Sequence, residues 1–65
     1  MKPQFKNLQL ANDFKNLLEY DWLTITTDYD DELGFIIDVN DSSYFYTNEE
    51  ERDFDSKLLF EETGF

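Results

Sequence analysis

The chain contains no cysteine and no histidine. The first absence excludes disulfides and thiolate metal sites, and the second removes the commonest transition-metal ligand and general base. Glycine occurs only at Gly34 and Gly64, which leaves no glycine-rich loop to cradle a phosphate. Positive charge is scarce, with five Lys and Arg against sixteen Asp and Glu, a formal net charge of −11. Long apolar runs are also missing. No stretch approaches the roughly 20 apolar residues of a membrane-spanning helix. The opening Met1-Lys2-Pro3-Gln4-Phe5-Lys6 lacks the apolar run of a signal peptide. The cytoplasm is therefore the expected compartment.

What is present is aromatic. Seven Phe, four Tyr and one Trp in 65 residues compensate for the missing cross-links, because each buries a large area in a domain too small for an extensive core. The length suits one domain, 1–65, and high net charge raises the question of disorder. A 40% hydrophobic content, arranged in patterned groups, argues for a folded core. Charge is unevenly placed. Residues 1–20 carry Lys2, Lys6 and Lys15 against Asp13 and Glu19, a net +1, whereas 21–65 carry Arg52 and Lys57 against fourteen acids, a net −12.

Leu8, Leu10, Ala11, Phe14, Leu17 and Leu18 recur at spacings of three and four, which predicts an amphipathic helix over about 8–20, capped by Asn7 or Asn12. Residues 22–28 are β-branched and aromatic and read as a strand with Leu23, Ile25 and Thr27 on one face. A turn over 29–34 follows, with Gly34 free to adopt positive φ. Residues 35–40 read as a second strand, with Phe35, Ile37 and Val39 inward and Ile36 and Asp38 outward. After a turn over 41–43, a short strand is expected over 44–47. Thr47 and Glu50 fit a capping box, and Gly64 is placed to end the last helix, in which Phe54 and Leu58 share a face beside Leu59. The expected class is α+β: an N-terminal helix, a three-stranded antiparallel sheet and a C-terminal helix (α-β-β-β-α), with both helices on one sheet face.

Catalytic residues are hard to assemble. Ser42, Ser43 and Ser56 have no base of suitable pKa, and paired carboxylates lack a deep cleft to separate their pKa values. No enzyme and no cofactor are expected. Asp38, Asn40, Ser42 and Glu49 fall at EF-hand ligand spacing, but Ser43 stands where that loop needs glycine and a strand precedes it. Asp28-Tyr29-Asp30-Asp31-Glu32 opens like such a loop and then places Leu33 at the glycine position. Both read as acidic turns.

The acidic surface itself is the remaining constellation. A charge run is ordinarily a solvated face that aids solubility, or an adaptation to salt, yet −11 exceeds what solubility asks of a small domain. Alternate strand residues lie about 6.6 Å apart and helix neighbours about 5–6 Å apart, a scale similar to that of phosphates along a nucleic-acid strand. The expected partner-binding set is Asp28, Asp30, Asp31, Glu32, Glu49, Glu50 and Asp53 for charge, with Tyr29, Tyr44 and Tyr46 as aromatic anchors. Such a surface repels nucleic acid and anionic membranes and points to a basic protein.

In length, charge, lack of Cys and His, and acidic turns on a short αβ chain, the protein resembles the small acidic proteins that phages use against host defences, including anti-CRISPR proteins and other DNA mimics. The resemblance implies an inhibitor of a nuclease, CRISPR effector or other nucleic-acid-binding protein, at work in the host-cell cytoplasm. An immunity or antitoxin-type protein that neutralises a basic toxin enzyme asks for the same acidic, aromatic face.

Overall fold

A computed structural model describes residues 4–64. Five elements follow one another: α1 (Leu8–Leu17), β1 (Ile25–Asp30), β2 (Gly34–Val39), β3 (Ser42–Tyr46) and α2 (Glu49–Thr63). The strands form one antiparallel sheet in the order β1-β2-β3. This is the expected α+β order, with shifted boundaries that have local causes.

Asn7 caps α1, its side chain accepting from the Leu10 N–H at 3.0 Å. The helix stops at Leu17 because the chain tightens. The Glu19 and Tyr20 amides bond back to the carbonyls of Asn16 and Leu17, three residues earlier, where a continuing α-helix would reach four. At the other end of the chain the cap is Asn48, one residue beyond the expected Thr47, accepting from the Glu51 N–H at 2.8 Å. Glu49, Glu50 and Glu51 in the first turn of α2 suit the positive end of its dipole. Gly64 closes α2 in the left-handed region at φ 77°.

β1 begins later than expected and runs on through Tyr29 and Asp30, because the turn needs only Asp31, Glu32 and Leu33. The Asp30 carboxylate organises that turn by accepting from the amides of Glu32 at 2.8 Å and Leu33 at 3.0 Å. Those two bonds hold its carboxyl below the usual carboxylate range. Gly34 completes the hairpin at φ 89°, where a Cβ would lie 2.9 Å from the Tyr46 carbonyl oxygen. Between β2 and β3 the connection is Asn40-Asp41, so Ser42 and Ser43 join the strand. Asn40 turns the corner at φ 54°, and its side chain accepts from the Thr24 N–H.

Register separates the two sheet faces. Tyr29, Phe35 and Tyr46 are cross-strand neighbours, as are Thr27, Ile37 and Tyr44. Both helices cover the β2 and β3 residues of this face, while Thr27 and Tyr29 of β1 stay exposed. Leu10 and Leu17 of α1 and Leu59 of α2 join Phe5, Leu23, Ile37, Val39, Tyr44 and Tyr46 in one core. Leu10, Ile37 and Leu59 retain no exposed surface, each contributing roughly 1.5–3 kcal/mol of burial. Phe5 and Phe14 tilt together at 5.2 Å between centroids. The buried face of α2 is rotated from the expected one. It runs through Asp55, Ser56 and Leu59, while Phe54 is half exposed.

Candidate functional site

The acidic hairpin and the start of α2 meet at one side chain, Arg52. Its Nη1 donates to the Asp28 carbonyl oxygen at 3.0 Å, and its Nε and Nη2 both donate to Asp53 Oδ1 at 3.1 and 2.9 Å. Glu49 lies one turn earlier, 3.8 Å from Nη2. The guanidinium also sits 5.3 Å from the Phe35 ring centroid, and Tyr29 tilts against Phe35 at 4.9 Å. Arg52 is thereby packed into the structure, its side chain 13% exposed. Among the described residues its two ion pairs, with Glu49 and Asp53, are the ion pairs present. One of the chain's few cations is thus consumed in holding the acidic elements together.

Of the expected set, the structure brings together Tyr29, Glu49 and Asp53 around Arg52 and Phe35, and Asp28 joins them through its backbone carbonyl while its side chain lies on the opposite sheet face, beside Ile36. Asp31 and Glu32 project, exposed, from the hairpin tip, and Asp30 is occupied in shaping it. Glu50 lies apart. It lines a shallow depression with Lys6, Glu51 and Phe54, where the Lys6 ammonium sits 5.0 Å from the Phe54 ring centroid.

Tyr44 and Tyr46 are not surface anchors. They retain 2% and 5% exposure because the two-residue Asn40-Asp41 connection places them on the core side of β3. Their hydroxyls find partners inside. Tyr44 donates to Asp13 Oδ2 at 2.8 Å and Tyr46 to Asp55 Oδ2 at 2.6 Å. Burial, then the adjacent Asp13 carboxylate, pushes the Tyr44 phenol up to about 12. Tyr46 is raised as well, by burial and then by Asp55. The exposed aromatic of this strand is Phe45 between them.

Asp55 is buried as well. It stands in an acidic run, yet no part of it is exposed. Its Oδ1 accepts from the Lys6 N–H at 2.8 Å, and its Oδ2 accepts from the Asn7 N–H at 3.0 Å as well as from Tyr46. The carboxylate therefore ties the N-terminal segment and β3 to α2. A readable signal exists in retrospect: Asp55 lies four residues before Leu59, in line with the one fully buried leucine of α2.

Among the described residues no group of three or more carboxylates converges to hold a metal ion. The residues at EF-hand spacing are dispersed, with Asp38 in β2, Asn40 in a turn, Ser42 in β3 and Glu49 on α2. Among the described residues no helix is long and apolar enough to cross a membrane. What the exposed surface offers is fixed negative charge with aromatic rings set into it. No protein-family model, curated protein or solved structure matches the chain.

Proposed function

We propose that the protein is a stoichiometric inhibitor that occupies the nucleic-acid-binding site of a basic protein, such as a nuclease or CRISPR effector, by presenting carboxylates where the target expects phosphates. The observation that carries this reading is the Arg52 junction, which fastens the hairpin acids and the α2 acids into one end of the molecule. Asp28 and Asp30 alternate along β1, about 6.6 Å apart. Glu49 and Asp53 are one helical turn apart, about 5–6 Å. Carboxylates at such intervals meet a basic groove much as a phosphate row does, and fixed backbone elements spare them the ordering cost of a flexible acidic tail. Exposed Tyr29 beside them supplies apolar contact. Long-range attraction sets the rate of encounter, and the ring sets residence time.

The test is competition. The immobilised protein is exposed to nuclease-treated bacterial lysates, and bound proteins are displaced first by DNA or RNA and then by salt. Recovery of nucleic-acid enzymes released by DNA, and inhibited with a 1:1 endpoint, is the expected result. The Asp31→Lys, Glu32→Lys variant, altered only at the exposed tip, should bind roughly tenfold more weakly. Capture of a single basic toxin indifferent to DNA, with Tyr29→Ala costing more affinity than the charge reversals, would replace this reading with that of an immunity protein.

A further inference from the structure

The second face of the sheet is covered by neither helix. Both helices lie on the Ile37 side, as the shared core and the Tyr44–Asp13 and Tyr46–Asp55 hydrogen bonds show. On the other side, strand alternation and register lay out three rows: Thr26, Asp38 and Ser43; Asp28, Ile36 and Phe45; and Asp30 beside Gly34. We propose that this face is a docking surface for a lysine- or arginine-bearing amphipathic helix of the partner protein.

Two of the three residues in the middle row, Ile36 and Phe45, are apolar where a solvated sheet face would be polar. Ile36 stands outside the main core yet retains only 8% exposure, flanked in register by Asp28 and Phe45, while Phe45 keeps 49%. Every ionisable side chain in the three rows is acidic: Asp28 beside Ile36, Asp30 on the diagonal, and Asp38 two residues along β2. Ser43 Oγ donates to Asp38 Oδ1 at 2.6 Å and fixes that carboxylate at the rim. Gly34 contributes no side chain, which leaves the surface low next to Ile36. Three strands about 4.8 Å apart, with alternate residues about 6.6 Å apart, make a platform about 10 Å wide, which matches the diameter of one helix.

Charge complementarity decides the occupant. An apolar centre with acids on its β1 side and along β2 fits an apolar residue flanked by cations. A helix presents that pattern at i, i+3 and i+4, and helices are what cover the opposite face of this sheet. A bare polycation would leave the exposed Phe45 ring unmatched, and a second copy of this chain would bring acid against acid. The inference rests on the inhibitor reading for the sign of the partner's charge, and adds the face that makes the short-range contact.

The probe is a lysine-leucine amphipathic peptide of about 18 residues, titrated into the isotope-labelled full chain and followed by amide chemical shifts. Polylysine of equal length serves as the purely electrostatic comparison. The expected result is a shift map centred on Ile36, Asp38, Ser43 and Phe45, tighter binding of the amphipathic peptide, and roughly tenfold weakening by Phe45→Ser. Asp38→Asn, which keeps an acceptor for Ser43, should weaken binding by about threefold and stands in if Phe45→Ser does not fold. Shifts confined to the hairpin tip, the α2 start or exposed Trp22, or equal affinity of parent and variants, would overturn the docking proposal. If polylysine binds as well as the peptide and maps to the hairpin and α2, this proposal fails and the acidic-inhibitor reading stands; if neither peptide binds, both fail.

Discussion

A buried carboxylate with three donors is a demanding residue to remove. Asp55→Ala would leave the Lys6 and Asn7 amides and the Tyr46 hydroxyl without their acceptor. Unsatisfied buried donors cost about 1–3 kcal/mol each, so even partial rehydration leaves a loss of about 3 kcal/mol or more, a large share of a small domain's stability. Urea denaturation should show the midpoint falling steeply, with Asp53→Ala, on the exposed side of the same helix, losing far less. Equal losses would mean that the Asp55 bonds contribute little. The buried tyrosines act at the alkaline end. In the fold the neutral Tyr44 phenol is favoured up to about 12, against about 10 in the unfolded chain. Between those values the folded state holds more protons, so stability is intact below pH 10 and declines as pH rises toward 12. Tyr44→Phe should be less stable at pH 8, because Asp13 loses its donor, yet show a shallower decline above pH 10. Parallel declines for parent and variant would show that Tyr44 is not the group responsible.

At the level of elements, the hairpin turns determine which side of each strand is buried. Gly34 is held at φ 89° with the Tyr46 carbonyl in the space a Cβ would fill. Gly34→Ala combines the left-handed penalty with a backbone clash and should cost about 2 kcal/mol or more, read as a drop in melting temperature. Gly64→Ala has open space around its Cβ and meets only the conformational penalty, about 1 kcal/mol. If both changes cost the same, the Tyr46 contact is not limiting. The same turns mark what could be read in advance. Helix spacing, Asn7 as a cap, the three strands and the inward set of β2 were legible because periodicity and side-chain chemistry are local. The burial of Tyr44 and Tyr46 was not, since alternation says that they share a face without saying which face meets the helices. That choice follows from the length of the β2–β3 connection. Asp55 escaped for a related reason: its donors, Lys6 and Asn7, lie 49 and 48 residues away, and no local pattern records them. Of the candidate site, the hairpin and helix acids were readable as charge, whereas their union through Arg52 was a matter of tertiary packing.

For the molecule as a whole, charge acts on folding and on binding with opposite signs. The Cα radius of gyration is 11.1 Å, close to the Debye length of about 10 Å at 0.1 M salt. At low ionic strength, then, acids on opposite sides of the domain still repel one another, and a net charge of −11 opposes compaction. Raising salt screens that repulsion and should stabilise the fold, while weakening attraction to a basic partner. Between about 0.02 and 0.5 M sodium chloride, recovery of about 1 kcal/mol would appear as a rise of roughly 4–8 °C in melting temperature for a domain of this size. The Asp31→Lys, Glu32→Lys variant changes the net charge by +4, from −11 to −7, without touching the bonds that shape the turn. It should melt higher than the parent at low salt and converge with it at high salt. Flat melting temperatures in both proteins would show that the carboxylates are spaced widely enough to be neutral for folding. The excess of acid would then carry no stability cost in the free protein, and its whole consequence would lie in what the surface attracts.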